Sequence, residues 1–292
     1  MAANTRDIRR RIKSIKNTAQ ITKAMQMVAA AKMRKAQQAA LAGRPYAEMI
    51  TKVLEDLKER ADTITHPLLA VRPVKKELVL VITTDKGLCG ALNTNLLREV
   101  SQFDAEKTSF ITSGRKGVQY LHRTKRTVMA DFPLKDVITV PETKPISKFL
   151  IEKFLSEEFD KISVLYTRYV NTLTQVPTVR TLLPISHADI GKKDEKAGAE
   201  SKPVEGRTDY LYEPDANEVL SAILPQYVHF LVYQMLLDSR ASEQSARMVA
   251  MKSATDNAKQ LIKDLTLEYN KIRQAAITTQ LLEITTAQMA LG

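Results

Sequence analysis

The sequence predicts an α/β protein in which long helices from the two chain ends form an antiparallel coiled coil beside a central α/β domain. Three observations support this: a helical repeat near the start, alternating strand and helix patterns in the middle, and a long helical region at the end. They divide the chain into residues 1–60, 75–212 and 214–292.

The first segment carries apolar and small residues at a spacing of four, three, four and three, which is typical of a helix that packs along one side. This stripe consists of Ile8, Ile12, Ile15, Ala19 and Thr22, and it continues with Ala29, Met33 and Ala36. Gln26 interrupts the stripe. Gly43 and Pro45 predict a kink or a break in a helix that otherwise runs from residue 4 to about residue 60.

The middle segment alternates β-rich runs with helical patterns. The predicted strands are residues 77–83, 108–113, 127–131, 162–170 and 176–185, and the predicted helices are residues 93–103, 115–123 and 145–159. Such alternation predicts a mostly parallel sheet covered by helices. Residues 189–208 are rich in Lys, Glu and Gly and contain one Pro, which predicts a flexible charged loop.

The last segment contains no proline after Pro225 and no glycine before Gly292. Pro225 is expected at a helix start or kink, and an unbroken helix over residues 226–288 is about 95 Å long. Its predicted stripe is Ala246, Val249, Ala254, Ala258, Leu261, Leu265, Ile272 and Ala276. A domain of this size cannot cover such a helix, so it is expected to pair with the shorter N-terminal helix and to extend beyond it.

The net charge of +11 is concentrated at the start of the chain. Residues 1–44 hold eleven Lys or Arg residues and one acid, Asp7, which gives a local charge of +10. A basic helix needs an acidic partner, either carboxylates on another protein, anionic lipid or nucleic acid. A nucleic-acid-binding scaffold is therefore the alternative function, but residues 1–44 contain no aromatic side chain that could stack on bases.

The sequence shows no constellation typical of an enzyme, a metal site or a cofactor site. Cys89 is the single cysteine, and the four histidines have no metal-binding spacing. Residues 77–95 read as strand, turn and helix, but they lack the glycine patterns of a phosphate loop or a dinucleotide fold. We therefore predict no catalytic, cofactor-binding or metal-binding residue, and an enzyme holding a dinucleotide remains a minor alternative. The sequence contains no run of 18 or more uncharged apolar residues, so we predict no membrane-spanning segment.

The end of the last helix has an unusual composition. Residues 274–292 carry one charged side chain, Glu283. A helix end with so little charge is expected to be covered, either in the core of the chain or in a sleeve supplied by other subunits. The predicted length of the helix favours the sleeve.

Three stretches together resemble the gamma subunits of rotary F-type ATP synthases. They are IRRRIKSIKNTAQITKAMQMVAAAKMRKAQ at residues 8–37, TTDKGLCGALNTN at residues 83–95 and YNKIRQAAITTQLLEI at residues 269–284. The resemblance covers the whole chain and implies a central Rossmann-like domain without a nucleotide. It also implies a non-catalytic rotor shaft, which couples proton-driven rotation of a c-ring to conformational changes of catalytic beta subunits.

The resemblance also implies partners and site residues. The expected partners are the hexamer of alpha and beta subunits, the epsilon subunit and the c-ring, with no nucleic acid. Membrane association is then indirect, on the cytoplasmic face of a bacterial inner membrane, with the matrix side of a mitochondrial membrane as the alternative. The implied contacts with a beta subunit are Lys23, Met25, Arg273, Gln274 and Thr278, and the implied bearing tip is Leu281, Leu282, Ile284 and Met289.

The chain departs from the family pattern at three places. Gln280 stands where the family usually has Glu, and residues 285–287 contain no Gly. The loop at residues 189–208 contains no cysteine, which argues against the thiol switch of chloroplast relatives.

Overall fold

The computed structural model describes residues 2–60, 66–185, 213 and 216–291. The helices are α1 (Ala2–Ala42), α2 (Arg44–Arg60), α3 (Leu92–Glu99), α4 (Arg115–Arg123), α5 (Val140–Leu155) and α6 (Ala216–Leu291), with short 3-10 helices at Pro67–Leu69 and Val100–Gln102. The strands are β1 (Glu77–Ile82), β2 (Thr108–Ser113), β3 (Val128–Asp131), β4 (Lys161–Tyr169) and β5 (Gln175–Leu183). The loop predicted at residues 189–208 lies outside the described residues.

The five strands form one sheet in the order β3-β2-β1-β4-β5. The pairs β3–β2, β2–β1 and β1–β4 are parallel, because a helix returns the chain between each strand and the next. Strand β5 follows β4 after a short turn and therefore pairs with it in antiparallel orientation. With α1 running antiparallel to α6 beside this sheet, the predicted fold class is confirmed.

Strand β1 shows how the sheet divides the core into two layers. Leu78 and Leu80 pack with residues of α5 and α6 on one face. Val79 and Val81 pack on the other face with Leu96 of α3 and residues of α4. Both faces are covered, as expected for a central parallel strand, and each fully buried aliphatic side chain contributes about 1.5–3 kcal/mol.

Helix α5 begins earlier than the sequence pattern predicts. The predicted helix starts at Pro145, whereas α5 starts at Val140. The Glu142 carboxylate accepts a hydrogen bond from the Thr139 amide at 3.3 Å, which caps the first turn. Pro145 lies inside the helix at its sixth residue, where it removes the amide that would otherwise donate to the Pro141 carbonyl.

Helix α6 belongs to two parts of the molecule. Its first part lies in the core of the α/β domain, where Leu224, Val228 and Val232 are fully buried. Its second part leaves the domain and pairs with α1. The helix is 76 residues long, or about 114 Å, and Pro225 lies within it rather than at its start.

One apolar window of α6, with a mean hydropathy of 1.3, meets the length and composition criteria for a membrane span. The core helices of α/β domains meet the same criteria. Leu224, Val228 and Val232 pack against the sheet, so the apolar character of this part of α6 is explained by packing inside the domain.

The predicted break at Gly43 is confirmed. Helix α1 ends at Ala42 and α2 begins at Arg44. A Cβ atom at Gly43 would lie 2.6 Å from Nε2 of Gln234 on α6, so the chain turns there in close contact with the long helix. Glycine permits that approach.

We predict that Gly114→Ala destabilises the chain by at least about 2 kcal/mol. Gly114 has a φ of 116°, and an added Cβ would lie 2.3 Å from the carbonyl oxygen of Thr83. Gly87→Ala is the matched control, because a Cβ there meets nothing within 4 Å, and it should change stability by about 0.5 kcal/mol or less. Urea unfolding of the isolated chain measures both, and equal stabilities would contradict the assignment.

A second prediction concerns His229, which is hydrogen-bonded to Ser147 between α6 and α5. Burial, with a smaller contribution from Lys144, lowers the pKa of His229 below its ordinary value of 6.5. The unfolded chain therefore binds a proton more readily than the folded chain, and stability should decrease as the pH falls below about 6.5.

Substitution of His229 by Gln should make the unfolding free energy less dependent on pH between pH 7.5 and pH 5. Burial also lowers the pKa of His66, so part of the dependence should persist. His122→Gln, at an exposed position, is the control. If His229→Gln leaves the pH profile as steep as in the unsubstituted chain, the assignment to His229 is wrong.

Candidate functional site

The candidate functional site is the rod formed by α1 and the second part of α6. Thr22 and Thr255 share a hydrogen bond of 2.7 Å between their hydroxyl groups. Thirteen residues nearer the start of α1, Arg9 donates a hydrogen bond to the Tyr269 hydroxyl and lies over its ring at 5.3 Å. The helices are therefore antiparallel, and the contact joins the first and third stretches that resemble gamma subunits.

The seam between the helices follows a spacing of four and three residues. On α6 the residues at this spacing, all buried or half-buried, are Met251, Thr255, Ala258, Ile262, Leu265, Tyr269, Ile272 and Ala276. The predicted stripe was wrong at Leu261, which is 51% exposed, because Ile262 takes that place. On α1, Ile8, Ala29 and Ala36 are buried, and small residues there let the two backbones approach closely.

The predicted tip residues lie beyond the end of α1. Given the pairing of Thr22 with Thr255, the start of α1 at Ala2 lies near residue 275 of α6. About 15 residues of α6, or roughly 22 Å, therefore extend past the described part of α1. Leu281, Leu282, Ile284 and Met289 are 59–84% exposed in this extension.

The other predicted contact residues lie at two separate levels of the rod. Arg273, Gln274 and Thr278 are exposed near the tip, and the Thr278 hydroxyl donates a hydrogen bond to the Gln274 carbonyl. Lys23 and Met25 lie near Thr22, about 27 Å further down the axis. The structure does not bring these two groups together.

Met25 lines a groove of about 460 Å³ between the rod and the α/β domain. Its apolar wall comes from Ile21, Ala24, Met25, Val28 and Ala29 of α1 and from Leu88. Its charged wall comes from Lys32, Asp85, Lys86, Asp136, Arg240, Glu243 and Arg247. Lys23 is exposed on α1 and is not among the residues that line the groove.

The charged groups of the groove are organised by ion pairs. Lys32 Nζ lies 2.7 Å from Asp136 Oδ2, and this hydrogen bond lowers the pKa of Asp136. Glu243 accepts a hydrogen bond from Arg240 at 2.8 Å and forms an ion pair with Arg247, also at 2.8 Å. Sequence reasoning missed this network, although opposite charges three and four residues apart in 240–247 were a usable signal.

Helix α6 also covers the edge of the sheet where Rossmann-like domains bind ligands. That position is the carboxyl end of neighbouring strands on either side of the point where strand order reverses, here β1 and β4. Ser242 of α6 donates to the Thr167 carbonyl of β4 at 3.0 Å. The space left nearby, beside Ser113, Gly114 and Ser239, is about 20 Å³. Ligand pockets are typically about 300–1,000 Å³, so this particular space is too small for a dinucleotide.

The anion-binding end of α4 is also occupied by the chain itself. The amides of Arg115, Lys116 and Gly117 donate to Asp85, to the Thr84 carbonyl and to the Thr83 hydroxyl. Among the described residues, no group of three or more His, Cys, Asp or Glu side chains is placed to hold a metal ion.

Comparisons of the sequence give consistent results along the whole chain. The family model described as ATP synthase matches residues 4–291. An ATP synthase gamma chain of Methylacidiphilum infernorum is 53% identical over 295 residues, covering 99% of this chain and 100% of the relative. An ATP synthase gamma chain of Opitutus terrae is 48% identical over 293 residues, covering 99% of each.

Solved structures show the same fold. A chain from the central stalk and c-ring of the Tetrahymena thermophila mitochondrial ATP synthase aligns with a TM-score of 0.60 and 26% identity, covering 80% of this chain and 99% of that chain. A chain from the OSCP/F1/c-ring structure of the Euglena gracilis mitochondrial ATP synthase aligns with a TM-score of 0.71 and 21% identity, covering 100% of this chain and 95% of that chain.

The fold and the full-length matches define the class of protein as a subunit of a rotary ATP synthase. Within that class, the chain belongs to the family of ATP synthase gamma chains, which form the central rotor stalk. This assignment leaves the nucleic-acid interpretation of the basic helix without support.

We predict that Ala29→Leu separates α1 from α6 and destabilises the chain by about 1–3 kcal/mol, because Ala29 is 1% exposed at the seam. Ala31→Leu is the matched control, since Ala31 is exposed two residues away and Leu has a comparable helix propensity. Chemical denaturation measures both variants. An equal effect of the two substitutions would show that Ala29 is not tightly packed between the helices.

Proposed function

We propose that this chain is a non-catalytic rotor shaft, turning inside a hexamer of alpha and beta subunits and coupling ion-driven rotation to ATP synthesis or hydrolysis. One observation carries the proposal most directly. Helix α6 extends about 22 Å beyond α1 and exposes apolar residues there. In water such a surface is unfavourable, so an apolar sleeve from other subunits is the environment that suits it.

The tip is suited to a bearing because its contacts are non-directional. Leu281, Leu282, Ile284 and Met289 offer dispersion and hydrophobic contacts, which vary little with angle. Glu283 is the one ionic side chain in residues 274–292, so no strong ion pair holds the tip at a single angle. Gln280, in place of the usual Glu, reduces the charge further.

Below the tip, Arg273, Gln274 and Thr278 form the upper contact with a beta subunit. All three are exposed, so they are accessible to a neighbouring chain. The guanidinium of Arg273 can donate two parallel hydrogen bonds to one carboxylate, which is a strong and oriented interaction. A contact of this kind must form and break as the shaft turns.

Lys23 and Met25 form the lower contact. The first 44 residues carry a net charge of +10, and their exposed cations attract acidic loops of the surrounding subunits over several ångströms. Met25 adds an adaptable apolar surface beside the groove, and a flexible thioether suits a partner that changes orientation.

The α/β domain is the part that meets the rest of the rotor in this proposal. Its partners there are the epsilon subunit and a proton-driven c-ring, so membrane association is indirect, on the cytoplasmic face of a bacterial inner membrane. The neighbours in solved structures support the contact with a c-ring, since they come from a central stalk with its c-ring and from an F1/c-ring assembly of mitochondrial ATP synthases.

Co-expression of this chain with alpha and beta subunits from the same source tests the proposal. We expect one complex with ATPase activity and rotation of a probe attached to the α/β domain. A chain that remains separate from the alpha and beta subunits would contradict the shaft role.

We predict that Arg273→Ala lowers ATP turnover of the assembled complex by about threefold to tenfold, because a charged hydrogen bond to a beta subunit is lost. Lys271→Ala is the matched control, an exposed cation two residues away on the same helix. Circular dichroism should show both isolated chains folded. ATP turnover equal to that of the Lys271→Ala control would show that Arg273 does not contact a beta subunit.

A further inference from the structure

At the point where helix α6 leaves the α/β domain, four of its side chains donate hydrogen bonds to main-chain carbonyl groups of the domain. Arg240 donates to the Lys135 carbonyl at 2.9 Å, and Ser242 to the Thr167 carbonyl at 3.0 Å. Two further donors follow within five residues. Ser245 donates to the Thr172 carbonyl at 2.8 Å, and Arg247 to the carbonyls of Lys86 and Gly87 at 3.2 Å.

These acceptors lie at the carboxyl ends of three parallel strands. Lys86 and Gly87 follow β1, Lys135 follows β3, and Thr167 lies near the end of β4. Segment 240–247 thus bonds to three loops or strand ends at the place where α6 leaves the domain and becomes part of the rod. We call this segment with its bonds the clasp.

Glu243 holds the two arginines of the clasp in position. Its carboxylate accepts a hydrogen bond from Arg240 on one oxygen and forms an ion pair with Arg247 on the other, each at 2.8 Å, and the three side chains are only 7–13% exposed. A buried carboxylate between two arginines fixes the orientation of both guanidinium groups. Without its charge, each arginine loses its ionic partner inside the protein.

The loop held by Arg247 is itself in an unusual conformation. Leu88 has a φ of 64°, which is rare for a bulky residue and requires support from its surroundings. The two carbonyls bonded by Arg247 precede Leu88 directly, so the clasp supplies part of that support.

We propose that the clasp fixes the rotational angle between the α/β domain and the rod, and that Glu243 and Arg247 are its positioning residues. The inference rests on the proposed shaft function. Apolar packing of α6 in the core holds the helix in place but allows small sliding movements. Hydrogen bonds weaken steeply with angle and distance, so the clasp resists rotation of α6 about its own axis at the exit point.

On α1 the corresponding link is weaker. Lys32 reaches the same edge of the domain through Asp136, but their side chains are 40% and 60% exposed. Exposed pairs contribute little and are screened by salt. Turning force is therefore transmitted mainly through α6, while α1 follows it along the seam.

The test measures angular fluctuations in the assembled complex. The alpha and beta subunits are fixed to a surface, and a probe is attached through Lys107→Cys, an exposed position on the α/β domain. With the catalytic sites locked by an inhibitor, the angular distribution of the probe reports the stiffness between the rod and the domain. Glu243→Gln should broaden it by at least about 1.5-fold, because the network loses its central charge.

Glu152→Gln is the matched control. It makes the same chemical change in an ion pair with Lys148 on α5, where the side chains are 75% and 61% exposed, and it should leave the distribution unchanged. Arg247→Lys is a second test variant that keeps the charge but loses the planar fork, and it should also broaden the distribution.

The outcomes distinguish the two proposals. Failure of the unsubstituted chain to assemble with alpha and beta subunits overturns the shaft function. An assembled, active complex in which Glu243→Gln or Arg247→Lys fluctuates no more than Glu152→Gln overturns the clasp. If Glu243→Gln does not assemble, the angular distribution of the Arg247→Lys complex, compared with that of Glu152→Gln, decides whether the clasp is correct.

Discussion

The molecule depends on the continuity of α6. The same helix contributes Leu224, Val228 and Val232 to the core of the α/β domain and then pairs with α1 along the rod. No glycine interrupts it within 216–291, and Pro225 lies where the core surrounds the helix. Because an intact helix transmits both position and rotation along its axis, a break between the two parts would leave a folded domain and a separate rod.

The sheet edge where Rossmann-like folds bind ligands is used here for contacts within the chain. At the edge where related sheets hold a ligand, this chain places Ser242, Arg247 and their neighbours, and their donors satisfy the strand-end carbonyls. The amides at the start of α4 are likewise bonded to Thr83, Thr84 and Asp85. A surface that elsewhere recognises a small molecule is used here to hold a helix.

Much of this fold could be predicted from the sequence, because it depends on local patterns. Strand β2 and helix α4 match their predicted residues, because a run of β-branched residues and a helical periodicity are both visible within a short stretch of sequence. The start of α5 was missed because the cap formed by Thr139 and Glu142 precedes the apolar pattern. Leu261 was assigned to the seam because periodicity alone does not distinguish it from Ile262 next to it.

The site was less accessible to prediction. Leu281, Leu282 and their neighbours are exposed because α6 is longer than α1, and the lengths of the two helices can be predicted from the sequence. The clasp and the groove do not follow, because residues 86–87, 135–136 and 240–247 are far apart in the chain and meet only through the topology of the sheet. The roles of Lys23, Met25, Arg273, Gln274 and Thr278 came from resemblance and remain proposals.

The spacing of the seam has a mechanical consequence. A repeat of four and three residues averages 3.5 residues per turn, slightly fewer than the 3.6 of a straight α-helix, so two helices that maintain it wind around each other with a left hand. Two helices that wind around each other with one hand respond differently to the two senses of applied twist. Twist in one sense winds the helices more tightly, and twist in the other sense begins to unwind them. A shaft made in this way is chiral, and its resistance to clockwise and to counterclockwise load is not the same.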